Sequence, residues 1–111
     1  ANQRVSGLTV GSVSAARNGS TTFTAPITLA PGVRYSAKEH FVSILLINPD
    51  GTPVGIDYLN ATKTQTDSAG NVTGVTVTVP DSTTLPSQVE AVVMTDAFPA
   101  YRQHVTVGGR S

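Results

Sequence analysis

The stretch Gly74-Val75-Thr76-Val77-Thr78-Val79 decides the fold class, because valine and threonine alternate strictly until Pro80 ends the run. A period of two places the three valines on one face of an extended chain and the two threonines on the other. Such alternation is typical of an antiparallel β-strand that has one face in a core and the other in water. The same signal recurs on both sides of this stretch, so we predict an all-β protein.

Turn signals divide the rest of the chain into short strand-like segments. We predict strands over residues 5–14, 21–29, 33–36, 41–47, 54–62, 89–95 and 101–107. Asn18-Gly19 is a hairpin signal, and Asn48-Pro49-Asp50-Gly51 has the residue preferences of a β-turn. No segment combines a helix start, an amphipathic body and a helix stop. We therefore predict one antiparallel β-sandwich of about seven to eight strands over residues 1–107, with a flexible tail at 108–111.

Two segments carry a more specific expectation about where they lie in a sheet. Pro26 has no N–H to donate, so the strand over residues 21–29 is expected at a sheet edge or at a bulge. Residues 41–47 are apolar nearly throughout, which is typical of a central strand covered on both faces.

Charge and composition limit the classes of partner. Only 13% of the 111 residues are charged, against roughly 25% in an average soluble domain. Seven basic and seven acidic residues give a net charge of zero. Nucleic-acid binding needs a basic stripe and membrane-surface binding needs a polybasic cluster, and the chain offers neither. No apolar run reaches the length of a membrane span. We expect partners that are copies of the same chain or neighbouring subunits, without nucleic acid and without membrane insertion.

The hairpin around Asn48-Pro49-Asp50-Gly51 and the closing strand pair 89–95 and 101–107 make the chain similar to the immunoglobulin-like (Ig-like) modules of bacterial surface proteins. This resemblance implies an Ig-like sandwich and, by analogy, display or adhesion at a cell surface. The expected location is extracellular or at the cell surface, with a virion shell also open. The Cys…Trp…Cys pattern of antibody domains is missing, since the chain has neither residue.

No motif for catalysis, cofactor binding or metal binding is found. His40 and His104 have no carboxylate at ligand spacing, and both are interpreted as edge or surface histidines. The acidic residues fall mostly at turns, where a carboxylate caps its own backbone. There is no Gly-x-Ser-x-Gly elbow and no cysteine for thiolate chemistry. We therefore expect a protein that is not an enzyme, with no catalytic residues, no cofactor and no metal.

Alternating threonines raise a separate hypothesis. Thr62-Lys63-Thr64-Gln65-Thr66 and Thr76-x-Thr78 present two ranks of hydroxyls, as ice-binding surfaces do, with Lys63 and Gln65 expected on the opposite face. Threonine is also simply a good residue for a wet strand face, and this interpretation is favoured.

Three further sets of residues are candidates for function. The loosely patterned first strand could add to a neighbour's open sheet edge through Val5, Leu8 and Val10, although an ordinary first strand is favoured. Acceptor patterns for N-glycosylation occur at Asn18, Asn60 and Asn71. The only tyrosines are Tyr35, Tyr58 and Tyr101 and there is no tryptophan, which is little for a sugar-stacking platform.

These observations predict a structural subunit or module of an extracellular assembly, such as a filament, pilus, surface layer or virion shell. Self-association would use β-strand edges and low-charge faces. The alternative is a binding or adhesion module for a carbohydrate or protein ligand, excised from a larger surface protein or enzyme.

Overall fold

A computed structural model describes residues 7–55, 62–95 and 100–107 of the chain. The described residues form eight β-strands and no helix: β1 (Leu8–Val10), β2 (Ser14–Asn18), β3 (Ser20–Leu29), β4 (Val42–Ile47), β5 (Thr62–Thr66), β6 (Val72–Val79), β7 (Gln88–Thr95) and β8 (Tyr101–Thr106). The predicted tail, residues 108–111, lies outside the described residues.

The strands form two antiparallel sheets. In the larger sheet, β3 lies between β6 and an edge formed jointly by β1 and β2, and β5 pairs with the far side of β6. The smaller sheet has the order β4-β7-β8. One hydrophobic core lies between the two sheets. The predicted all-β fold, with about seven to eight antiparallel strands, is confirmed.

The deciding stretch of valines and threonines forms most of β6 and behaves as its period predicts. Val75, Val77 and Val79 are fully buried, whereas Thr76 and Thr78 are only half-buried on the opposite face of the sheet. Phe23 lies directly opposite Val77 on β3 and is also fully buried. At roughly 25 cal/mol per Å² of apolar surface, this valine face contributes several kcal/mol to folding.

The strand that contains Pro26 is an inner strand, so the first of its two expected positions, a sheet edge, was wrong. The second, a bulge, is present, because Val10 pairs with Ile27 and Ser14 with Thr24, which leaves three residues opposite two. The carbonyl of Pro26 accepts a hydrogen bond from the N–H of Gly11, at 2.8 Å. In a strand, the N and the carbonyl of one residue point to the same side. The missing N–H of Pro26 therefore faces the interruption between β1 and β2, where no regular pairing requires it. The predicted first strand over residues 5–14 is divided at this interruption.

The apolar segment 41–47 forms β4, which is an edge strand of the smaller sheet, so its predicted central position was wrong. Val42, Ile44 and Leu46 point into the core, and the alternate residues point away from it. The outer edge of β4 is partly covered where the N–H of Val54 donates to the carbonyl of Leu46, at 2.9 Å. A run that is apolar on both faces is thus packed on only one face by the described residues.

Two other predicted strands differ from the structure. Residues 33–36 form no strand, and only Ser36 makes an isolated bridge, with Asn71. The segment predicted over residues 54–62 contributes Thr62 to β5, while residues 56–61 lie outside the described residues. The predicted closing pair is confirmed as β7 and β8.

The predicted turn between β4 and residue 53 is confirmed. The N–H of Gly51 donates to the carbonyl of Asn48, at 2.9 Å, and closes a four-residue turn. Gly51 has a φ of +92°, a conformation that other residues rarely adopt. Asp50 stabilises the turn because one carboxylate oxygen accepts from both the hydroxyl (2.6 Å) and the N–H (3.0 Å) of Thr52.

A side chain from the smaller sheet completes the broken edge of the larger one. Gln103, on β8, accepts a hydrogen bond from the N–H of Val13 at 2.9 Å and donates its own amide to the carbonyl of Val13 at 3.0 Å. Val13 lies in the interruption between β1 and β2, where no strand pairs with its backbone. The Gln103 amide thus takes the place of a neighbouring strand and joins the two sheets at one side of the sandwich.

Candidate association surfaces

The outer side of the smaller sheet carries an apolar patch. Leu45 on β4 lies opposite Val92 on β7, and both alternate with core-facing residues. Ile47 and Met94 extend the patch in the two strand directions, and all four side chains lie outside the main core. Phe41, just before β4, is 58% exposed, the only large hydrophobic side chain so exposed in the described part of the chain. We call Phe41, Leu45, Ile47, Val92 and Met94 the apolar outer face.

None of the eight described strands forms a third layer over the apolar outer face. Leu45, Ile47 and Met94 are half-buried. Val92 is only 3% exposed, yet it does not belong to the main core, because its immediate neighbours across the sheet are Leu45 and Arg102. Contiguous exposed apolar patches on soluble proteins commonly mark interaction sites. The patch is therefore the leading candidate for an association surface.

The rim of the apolar outer face carries one charge of each sign. Arg102 on β8 donates from Nη1 to Oε1 of Glu90 on β7, at 3.4 Å, with 59% of the arginine side chain exposed. His104 lies directly opposite Glu90 across the β7–β8 pair. An exposed ion pair of this length contributes little to stability, about 0–1 kcal/mol. Its importance lies in placing both signs of charge beside an apolar centre.

The same end of the smaller sheet forms a shallow cleft of about 240 Å³ beside the β4 turn. Its polar lining comes from Asn48, Gln88, Glu90 and His104. Glu90 and His104 are 14 positions apart in sequence, and sequence spacing therefore gave no sign of their proximity. Their opposition across β7 and β8 could have been found only from the strand register.

The outer side of the larger sheet carries hydroxyls, but not in the predicted ranks. Lys63 lies opposite Thr76, whereas Thr64 lies opposite Val75. Residues paired across a sheet share a face, so Lys63 joins Thr76 on the outer side and the β5 threonines lie on the other side. Lys63 and Gln65 lie on the face opposite Thr62 and Thr64, as expected. The two ranks of threonines nevertheless lie on opposite sides of the sheet, because the β5–β6 register was not known from the sequence.

The second rank of outer threonines comes from β3. Thr22 lies opposite Thr78, with their hydroxyl oxygens 3.1 Å apart, and Thr24 lies opposite Thr76. This two-by-two block is half-buried and is bordered by Lys63 on one side. It resembles an ordinary solvent-facing side of a sheet, on which some threonine hydroxyls form hydrogen bonds with one another. The hydroxyl face is therefore a low-charge surface without a built binding site.

The strand edges of the two sheets differ in how well they are protected. Gln103 seals the break in the β1–β2 edge, and Val54 covers part of the β4 edge. β5 consists of five residues that are exposed or half-buried, and Lys63 is the charged one. Among the described residues, no strand pairs with its outer side. A short, nearly neutral open edge of this kind can accept another strand.

The residues predicted to form an assembly strand are partly described. Leu8 and Val10 pair with Leu29 and Ile27 of the same chain, and both are buried in the core. Val5 lies outside the described residues. Exchange of this strand between copies stays a prediction.

The glycosylation candidates lie in different surroundings. Asn18 is exposed at the end of β2, next to the turn at Gly19. Oδ1 of Asn71 accepts a hydrogen bond from the N–H of Tyr35 at 2.8 Å, so its side chain has a structural role. Asn60 lies outside the described residues. Modification at these positions stays a prediction.

The aromatic residues do not form a stacking platform in the described structure. Tyr35 is buried, its ring stacks on His40 with centroids 4.2 Å apart, and its hydroxyl pairs with that of Thr95. Tyr101 is half-buried and donates its hydroxyl to Gln103 at 3.2 Å. Tyr58 lies outside the described residues. A sugar ring would find only Phe41 as an exposed aromatic partner here.

The described structure contains neither a cluster of metal-ligating side chains nor a membrane-spanning helix. Within residues 7–55, 62–95 and 100–107, no three histidine, aspartate or glutamate side chains converge as metal binding would require. The same part of the chain contains no helix of the length and apolarity needed to cross a membrane.

A scan against family models, a search of curated proteins and a search of solved structures found no match for this chain.

Proposed function

We propose that this chain is a non-enzymatic structural module of an extracellular or surface assembly, and that it associates with copies of itself or with neighbouring subunits. The observation that carries the proposal is the apolar outer face, which the described residues leave without a covering layer. Its burial against a partner would remove apolar surface from water, the main driving force of protein association.

Low charge supports the same proposal. With a net charge of zero and 13% charged residues, neighbouring copies experience little electrostatic repulsion. The hydroxyl face and the open β5 edge provide further neutral surfaces on the larger sheet. A module with several such surfaces is suited to close packing in a filament, pilus, surface layer or virion shell.

The assignment to Ig-like modules of bacterial surface proteins is part of this proposal. If β1 and β2 are counted together as strand A, the larger sheet has the order A-B-E-D and the smaller sheet C-F-G. This division of strands is the one found in immunoglobulin constant-type domains, and it supports the Ig-like interpretation. The fold alone does not decide function, so the proposal depends on the surfaces.

The direct test is the mass of the purified chain, measured by sedimentation and light scattering from about 1 µM to about 1 mM, the range in which weak complexes form. We expect mass to rise with concentration, and negative-stain images to show whether the products are closed or extended. The variant Leu45→Glu charges the apolar outer face, and Thr24→Glu places the same charge on the hydroxyl face as a control.

A strictly monomeric chain over this range would overturn the proposal of self-association. The alternative, a binding or adhesion module, would then be favoured, and the cleft lined by Asn48, Gln88, Glu90 and His104 would be the first place to seek a ligand.

A further inference from the structure

We infer that the apolar outer face binds the same face of a second copy through a two-fold axis, with Glu90 of each copy meeting Arg102 of the other. This inference rests on the proposed function and specifies the partner and the contact.

The strand register fixes where these residues lie on the face. Leu45, Val92 and Arg102 form one row across β4, β7 and β8, and Ile47, Glu90 and His104 form the next row. Neighbouring strands are about 4.8 Å apart, and same-face residues along a strand are about 6.7 Å apart. Consider the line in the plane of the sheet that passes midway between Glu90 and Arg102, perpendicular to the direction from one to the other. On the ideal grid, this line passes within about 2 Å of both Leu45 and Val92.

A two-fold axis along that line produces a self-complementary contact. Rotation about it exchanges the positions of Glu90 and Arg102, so each carboxylate faces the guanidinium of the other copy. Leu45 lies close to the axis and meets its own equivalent at the apolar centre, beside the buried Val92. Ile47 falls near Met94 of the second copy. Isologous contacts of this kind are the commonest way in which identical chains associate.

The crossing angle of such a pair is compatible with known sheet packing. The line makes an angle of about 55° with the strands on the ideal grid, so the strands of the two copies would cross at roughly 70°. This is close to the orthogonal class of face-to-face sheet packing. The second copy would therefore form another layer on the smaller sheet and leave the larger sheet free.

The charges favour a second copy over an unrelated partner. A face with a single sign of charge would require a partner of the opposite sign, whereas this face carries one acid and one base on opposite sides of the proposed axis. The two ion pairs across the interface would also discriminate against other registers, because displaced registers bring like charges or apolar groups together.

The size of the face sets the expected strength. Three strands of about seven residues give a flat area on the order of 300 Å² per copy, well below the roughly 800 Å² that each partner buries in a standard complex. The isolated chains should therefore pair weakly and only at high concentration. Inside an assembly, where copies are held close together, a weak contact becomes effective.

Charge exchange between two variants tests the inference. Glu90→Arg leaves only positive charge at the rim, and Arg102→Glu leaves only negative charge. Each variant alone should have a dissociation constant for pairing at least about tenfold higher than that of the unmodified chain, since like charges meet across the axis. An equal mixture should restore pairing, because both cross-copy contacts are then between opposite charges.

Three controls make the measurement specific. Sedimentation is run at physiological ionic strength, where a screening length of about 8 Å suppresses attraction due to net charge alone. Circular dichroism shows that each variant is folded. Adding Leu45→Glu to the Glu90→Arg variant should prevent restoration in the mixture, and Thr24→Glu on the hydroxyl face should leave pairing unchanged.

Each outcome decides a defined point. Loss of pairing in both variants and recovery in the mixture would support the two-fold contact. Self-association that resists Leu45→Glu, or a mixture that does not recover, would overturn this inference and leave the proposed function standing. A chain that stays monomeric at every concentration would overturn this inference and, with it, the self-association in the proposed function.

Discussion

Replacement of Gln103 should show that one side chain substitutes for a missing strand. Its amide makes two hydrogen bonds with the backbone of Val13, at 2.9 and 3.0 Å, across the break between β1 and β2. Val13 is itself buried, so water cannot easily replace these bonds. In the variant Gln103→Ala, one buried N–H and one buried carbonyl lose their partners.

The expected cost follows from those two groups. A buried donor or acceptor left without a partner costs about 1–3 kcal/mol, which gives about 2–6 kcal/mol for two groups. Because both hydrogen bonds are only part-buried, the variant should lose the lower part of that range, roughly 2–4 kcal/mol, in the free energy of unfolding. For a domain of this size that corresponds to a fall in Tm of about 10–20 °C. The variant Gln103→Met keeps a similar side-chain length without either hydrogen bond, so it separates lost hydrogen bonding from lost volume.

The assay is chemical denaturation at low protein concentration, combined with amide hydrogen exchange at Val13. Both variants should be destabilised, and protection of the Val13 amide should fall more than that of amides in β6. Thr106→Ala, at an exposed position on the same strand, serves as a control and should change little. If Gln103→Met is as stable as the unmodified chain and Val13 keeps its protection, the reasoning about Gln103 is refuted.

Two further predictions concern the strand face and the turn. Val77→Asp should prevent folding because it buries an unpaired carboxylate, whereas Thr76→Asp should remain folded; circular dichroism checks both, and equal tolerance would contradict the assigned β6 faces. The hydroxyl and the N–H of Thr52 lower the pKa of Asp50 below its usual value, so the turn should be favoured above the usual carboxyl pKa and lose that support as pH falls through the lowered pKa. NMR titration of Asp50 measures this directly, and Thr52→Val should raise its pKa toward the usual value; an unchanged midpoint would contradict the role of the hydroxyl.

The fold class and several elements could be predicted because they depend on local pattern. Alternation in β6 requires only that one face be dry, and the turn at residues 48–51 requires only the conformational preferences of its own residues. The strand pair β7 and β8 was recognisable for the same reason. These features would look the same in any sandwich that contained them.

The features that could not be predicted depend on which strands are neighbours. Pro26 is tolerated in an inner strand because the pairing of the adjoining edge is interrupted beside it. That interruption is formed by the segment with Gly11 and Val13, so the sequence around Pro26 does not reveal it. Lys63 shares a face with Thr76 because of the register of β5 on β6. Glu90 and His104 line one cleft through the pairing of β7 with β8. The spacing of residues in the sequence does not show which strands pair or in which register.

The segment at residues 41–47 shows how a wrong prediction about position can still be informative. Its pattern predicted a strand covered on both faces, and in the described part of the chain only Val42, Ile44 and Leu46 point into the core. Maintaining apolar residues at Leu45 and Ile47 on a wet edge strand would expose the chain to non-specific association, a hazard that natural sheets usually reduce with charge or proline. Burial against a second copy would resolve the conflict, because the strand would then have the two dry faces that its sequence predicts. The charge-exchange experiment on Glu90 and Arg102 therefore also tests whether that apolar pattern describes the assembled molecule rather than the isolated one.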